Sequence, residues 1–227
     1  MLGIASDQPT FLPWAGYWHK AMAVDVMIHS IGVPVSYGAR DHYHNRVRLA
    51  GSWLTLPIAG PTDGVPFKDV RFDPLGLPKI VRSLRNNFGK KTPHRDCVNG
   101  VIEMIEHWQG DNLLEYLNGE LIRRVSHSLE GVKCYTVRDV EVPDPAQSKT
   151  QRLIARVRRF TKEPVAYYMG RGALAYMDVE LMREHGFKLF LQTLDPAIRD
   201  ETVLQLTANE ADATQTIRAL GTWEEMT

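Results

Sequence analysis

Residues 40–49, RDHYHNRVRL, bring two imidazoles and three guanidinium groups into one short stretch. In an extended strand the side chains alternate, so His42, His44, Arg46 and Arg48 share one face while Tyr43, Asn45, Val47 and Leu49 share the other. A guanidinium keeps its charge and presents a planar fork of donors that matches phosphate or carboxylate oxygens. An imidazole beside it can take a proton from an incoming nucleophile. The same pattern also describes a strand face turned to solvent. His42 and His44 are two metal-ligand types, but no carboxylate or cysteine motif accompanies them, so neither a metal nor a cofactor is expected.

A second basic series, Lys149, Arg152, Arg156 and Arg159, is spaced by three, four and three residues. On a helix that spacing lines up one face, opposite the apolar series Leu153, Ile154, Val157 and Phe160. It can hold an anion or merely solvate the helix. A third group, Lys79, Arg82, Arg85, Lys90, Lys91 and Arg95, surrounds Phe88, an aromatic that can stack on a base. In YYMGRGALAY, Gly170 and Gly172 follow an apolar run, where glycine lets a ligand approach the backbone. The spacing fits neither a dinucleotide fingerprint nor a P-loop, and no G-x-S-x-G or H-E-x-x-H is present, so ATPase, NAD-enzyme and standard hydrolase readings fall away.

These residues need elements to hold them. SDQPTFLPWAGYW, residues 6–18, reads as a shaped loop, because Pro9 and Pro13 must lie outside helix interiors and central strands. Strands are expected at Gly3–Ser6 and Val26–Ile31, with a short helix from Gly16 between them, and a hairpin from 43–49 and 53–58 joined by AGS. A Gly/Pro-rich loop over 60–78 carries a short strand at KDVRF. Helical periodicity follows in Val98, Val101, Ile102, Ile105 and Trp108, then in Leu114, Leu117, Leu121 and Val125 behind an Asn112–Glu115 capping-box pattern. KCYTVRDVEV returns to strand, Ser148 and Gln151 open another helix, and VAYYM and FKLFL are strands flanking a helix that starts at Asp178 and stops at Gly186. The expected fold is α/β: a mixed, partly parallel sheet flanked by helices, with a helical middle section, in one domain over 1–227.

Composition sets the outer bounds. The chain has 227 residues, 44% of them hydrophobic, with 27 basic and 27 acidic side chains, so no global field commits it to nucleic acid or to a membrane surface. Cys97 and Cys134 show no metal or redox spacing and suit free thiols in a reducing compartment. Without a signal-peptide pattern or an apolar run near the roughly 20 residues of a membrane span, a cytoplasmic protein is expected.

The order QPTFLPWAGYWHKAMAVDVMI, NRVRL, WLTLPI, SKTQRL and YYMGRGALAYMDVELMREHGFKLFLQ resembles the WbqC-like family of bacterial proteins, over most of residues 4–192, and ETVLQLTANE resembles its closing segment. The match falls on Gln8, Pro9, Pro13, Gly16, Tyr17, Asp25, Asn45, Arg46, Thr150, Arg152, Gly170, Tyr176 and Gln192. The chain departs from the family pattern in GVPVSYG, at Met169–Gly170 and after Leu194. The resemblance implies surface-glycan and O-antigen loci and a transferase that joins a small amino-acid or acyl group to an activated, phosphate-bearing or nucleotide-linked acceptor. In that reading Gln8, Trp14 and Tyr17 shape the acceptor pocket, and Arg46 and Arg48 beside Asn45 hold the phosphate. Arg152, Gly170 and Tyr176 complete the binding set, and His44 or Asp25 is the base. The basic clusters also admit a phage-type amino acid:DNA transferase acting on a phosphorylated hydroxymethyl base, or a non-catalytic module that binds nucleic acid or a phosphate ligand. Oligomeric state is left open.

Overall fold

The computed structural model describes residues 1–35, 44–88, 95–195, 202–209 and 212–226. His42, Tyr43, Lys90 and Lys91 lie outside the described residues, as does the side chain of Arg95. In chain order the elements are β1 (Leu2–Asp7), α1 (Ala15–Ala21), β2 (Val26–Ser30), β3 (Arg46–Leu49), β4 (Ser52–Thr55), β5 (Ile58–Ala59), β6 (Arg71–Phe72), α2 (Leu77–Asn87), α3 (Arg95–Glu106), α4 (Leu114–Ser126), β7 (Tyr135–Asp139), α5 (Lys149–Phe160), β8 (Val165–Gly170), α6 (Val179–Glu184), β9 (Phe187–Leu194), α7 (Val203–Asn209), α8 (Ala213–Ala219) and β10 (Gly221–Glu225).

Six strands form one sheet in the order β10-β9-β8-β1-β2-β7, parallel throughout except for the antiparallel edge β10. The fold is therefore α/β, a mostly parallel mixed sheet with eight α-helices among the described residues. Alternation along the strands sends Ala5 and Met27 into a core shared with α1 to α4, α7 and α8, and sends Ile4 and Ile28 into a second core with α5 and α6. The chain leaves β1 through α1 on one face to reach β2, and later leaves β7 through α5 on the other face to reach β8. The two connections diverge beside β1. The carboxyl end of β1 is thus the switch point of the sheet, the place where open α/β sheets leave a crevice.

The bend after β1 is buried. Phe11 and Leu12 are fully covered, and Leu12 takes a left-handed backbone, φ 48°, rare for a branched residue. That conformation costs about 1–2 kcal/mol, while burying each of these side chains returns about 1.5–3 kcal/mol, so burial wins. A buried bend must satisfy its carbonyls. Pro9 accepts from Asn118 Nδ2 (3.0 Å), Leu12 from Thr202 Oγ1 (3.3 Å), and Pro13 from Trp18 Nε1 (3.2 Å) and from the Val203 amide (3.2 Å).

Several expected local features form and some do not. Ser148 and Gln151 make a full capping box at α5, Asp178 caps α6, and Gly186 takes a positive φ of 77° just past it. The β3–β4 hairpin turns through Ala50–Gly51, both with positive φ, the geometry that matches strand twist. KDVRF divides into a 3₁₀ turn at Phe67–Asp69 and the two-residue strand β6. The Asn112–Glu115 box is a correction: α4 is capped at Leu113 with no side-chain bond. The Glu115 carboxylate is instead drawn to the Arg138 guanidinium of β7, a charged partner stronger than a backbone amide. No described helix is long and apolar enough to cross a membrane, and no disulfide joins Cys97 and Cys134.

Candidate functional site

A cleft of about 450 Å³ lies at the switch point. Ser6, Asp7 and Gln8 come to it from the end of β1, Ser30, Val33 and Pro34 from the end of β2, Lys149, Arg152 and Arg156 from α5, and Tyr167 and Tyr176 from β8 and the segment after it. The position follows from the topology. Three strands end there, and α5 crosses over their ends with its first two turns turned toward the opening.

Lys149, Arg152 and Arg156 of the α5 stripe face this cleft, and Arg159 lies one turn beyond them. Arg156 donates from Nε to Asp139 Oδ2 (2.8 Å) and from Nη1 to Ser6 Oγ (3.3 Å), and Arg159 donates to Asp139 Oδ1 (2.5 Å). Asp139 is buried at the end of β7, so it fixes both arginines from beneath. Arg152 donates from Nη2 to the Pro145 carbonyl (2.9 Å), while its buried Nε has no partner among the described residues. The Lys149 ammonium stands 5.1 Å from the centre of the Tyr176 ring. Among the described residues neither Lys149 nor Arg152 meets a carboxylate.

Opposite them, Asp7 accepts from Lys20 Nζ (2.8 Å) at Oδ2 and from the Gln8 amide (3.2 Å) at Oδ1. The Gln8 side chain donates to the Val33 carbonyl (3.2 Å), tying the turn after β1 to the one after β2. Ser6 and Ser30 hydroxyls meet at 2.7 Å across the strands. Burial, with the nearby Asp7 charge, pushes the Tyr176 phenol above its ordinary range, and Arg156 opposes that shift; burial first of all holds Tyr167 protonated too. Thr150 Oγ1 donates to the Tyr176 carbonyl (3.2 Å) and accepts from the Asp178 amide (2.9 Å), which anchors Tyr176 over α5.

Of the residues singled out from the sequence, Gln8, Arg152 and Tyr176 meet in this cleft. Gly170 ends β8 nearby, where an added Cβ would come no closer than 3.9 Å to the Gln192 side chain. Tyr17 is buried on the other face of the sheet, its hydroxyl 2.9 Å from His29 Nε2. Trp14 is half-buried and packs over Gly16. Asn45 is buried and donates to the Leu56 carbonyl (2.8 Å). The guanidinium carbons of Arg46 and Arg48 lie 4.2 and 5.9 Å from the ring centre of Trp53, on the β3–β4 hairpin. The His44 ring packs on Phe67, and its carbonyl accepts from Asn118 Nδ2 (2.7 Å). Asp25 stands at the amino end of β2, accepting from the Gly3 amide (2.7 Å). Gly3 and Asp7 are four residues apart on β1, about 13 Å at the usual rise, so Asp25 belongs to the opposite end of the strands from the cleft.

Sequence reasoning left Asp7, Ser6, Ser30 and Asp139 unassigned. Each lies at or next to the carboxyl end of a short apolar strand, the position where an α/β sheet carries its polar groups. That position was the available signal.

Comparison with curated proteins and with solved structures returned no match. The model of the WbqC-like protein family matches residues 8–199, a span that runs from Gln8 in the switch-point turn through α5 and β9. The chain belongs to the WbqC-like protein family.

Proposed function

We propose that the switch-point cleft binds a phosphate-bearing, activated acceptor and that the chain is a transferase joining a small amino-acid or acyl group to it. The observation that carries this reading is the convergence of Lys149 and Arg152, two cations with no carboxylate partner among the described residues, on a cleft whose lining acid, Asp7, is already held by Lys20. A phosphate offers oxygens that both a guanidinium fork and an ammonium can bind, and in a half-enclosed cleft their field acts with less screening than in open water. The family is loosely linked to O-antigen biosynthesis, which supports a nucleotide-linked amino sugar as the acceptor class.

For an amino-acid donor the step would form a C–N bond as the C–O bond to phosphate breaks. The leaving group, the nucleoside diphosphate of a nucleotide-linked sugar or inorganic phosphate from a phosphomonoester, departs toward Lys149 and Arg152, which offset its growing charge, and the amine proton passes to Asp7. Asp7 takes the place of Asp25 in this scheme, because its carboxylate is in the cleft and is oriented by Lys20 and the Gln8 amide.

The test is calorimetric titration of UDP-N-acetylglucosamine and of duplex DNA into the protein and its Arg152→Ala variant. Losing one charge-assisted contact weakens the nucleotide sugar by about 10- to 100-fold, the equivalent of about 1.5–3 kcal/mol. Absence of binding, or binding indifferent to Arg152, overturns the proposal. A second reading, transfer to a phosphorylated base in DNA, draws on Arg46 and Arg48 around Trp53, whose side chain is 42% exposed. It predicts DNA binding that falls steeply with added salt, a slope the nucleotide sugar does not share.

A further inference from the structure

On the α1 face of the sheet, away from α5, a cavity of about 620 Å³ opens between α1, α4, β2 and β7. Its walls are aromatic, with Tyr17, Trp18, Trp108 and Tyr116 around it. The polar groups deepest in it are uncharged. Burial lowers the His29 pKa to about 4, holds the Tyr17 phenol protonated and pushes the Cys134 thiol up. The arginine and carboxylate side chains around the cavity are already paired: Arg138 with Glu115, Arg123 with Glu120, and Asp111 with Arg71.

Two details define what would fit. The Tyr17 hydroxyl is fully buried with His29 Nε2 as its hydrogen-bond partner at 2.9 Å, so donating its proton there places the imidazole proton on Nδ1. Among the described residues nothing accepts from that Nδ1. Gly119, in the middle of α4, also lines the cavity, and a Cβ built on it would meet nothing within 4 Å. Glycine weakens a helix interior, and no packing contact requires one at this position. Any longer side chain there would extend into open space beside α4.

We propose that this cavity is a second binding site, for an uncharged ring-bearing small molecule that lies between the aromatic walls and presents one carbonyl to the Nδ1–H of His29. A charged ligand would surrender its hydration without gaining an uncommitted counterion, whereas a flat apolar body gains both area and ring contacts. A buried donor on the wall meets one acceptor on the ligand, and a few such polar contacts are the usual economy of small-molecule sites. The anchors are on the face of the sheet opposite α5, so the site stands or falls separately from the phosphate cleft.

The probe is prodan, a neutral naphthalene ketone whose emission shifts to the blue when it leaves water. Wild-type protein is expected to bind it saturably with a blue shift. Gly119→Leu, which projects into the cavity and narrows it, is expected to weaken it at least tenfold while UDP-N-acetylglucosamine binding is unchanged, and Gly119→Ala is expected to weaken it less. If Gly119→Leu does not fold, as judged by circular dichroism, Ser126→Leu on the same wall of α4 serves in its place. Absence of saturable binding to the wild type, or equal binding by the narrowed variant, overturns the site.

Discussion

Arg156 Nε lies 2.8 Å from Asp139 Oδ2, joining the helix that crosses the sheet to the end of the strand that precedes it. Asp139 is buried and also accepts from Arg159, while its main-chain carbonyl accepts from the amides of Ile31 and Gly32. Arg156, one of the cations of the cleft, is thereby tied to the parallel sheet at the end of β7 as well as at Ser6 of β1.

Asp139→Asn removes that charge and leaves two guanidinium groups facing each other. Breaking a buried pair costs about 3–5 kcal/mol, and partial exposure of Arg159 reduces the expected loss to about 2–3 kcal/mol in denaturant unfolding. Nucleotide-sugar affinity should fall with it, because Arg156 loses its support. Unchanged stability would mean that water replaces the carboxylate at no cost.

Asn118 is fully buried on α4, and its Nδ2 donates to both the Pro9 and His44 carbonyls. Through it the proline-rich bend and the segment leading into the arginine hairpin meet at the backbone. Asn118→Ala strands two acceptors and opens a small void, an expected loss of about 2–4 kcal/mol, with faster proteolysis at the bend as a second readout. A variant as stable as the parent would show that the two segments dock without this amide.

The pH dependence of stability should carry the signature of His29. With a folded pKa near 4 against about 6.5 unfolded, the unfolded chain binds the extra proton between those values, so stability is full above about pH 6.5 and declines as pH falls toward 4. The loss from this group is on the order of 3 kcal/mol. His19, whose pKa burial also lowers, acts in the same direction. His29→Gln should flatten the slope of denaturation free energy against pH in that window. An unaltered slope would assign the acid sensitivity elsewhere.

Local chemistry was legible in the sequence wherever neighbours along the chain decide the outcome. Ser148 with Gln151, Asp178, Gly186 and the apolar periods of α3, α4 and α5 needed only their own turn of helix. The α5 stripe was legible as a row of cations, whereas the meeting of Gln8, Arg152 and Tyr176 in one cleft came from the fold. The strand β10 and the helices α7 and α8 were not, because each is short and is stabilised by partners far along the chain: Trp223 pairs with Gln192, and Val203 bonds back to Pro13.

What tertiary structure decided was which face and which end of the sheet each residue occupies. Strand alternation fixes that Ser6 and Asp7 point opposite ways, but only the crossover of α5 brings Arg156 to Ser6 and Asp139. Likewise a carboxylate in a β-α-β start can stand at either end of its strand. Asp25 and Asp7 look equivalent in sequence, yet strand order sets one beside the Gly3 amide and the other in the cleft. The physical reason is that side-chain types and helix periods are local properties, whereas a site is an intersection of strand ends, and that intersection exists only once distant segments have paired.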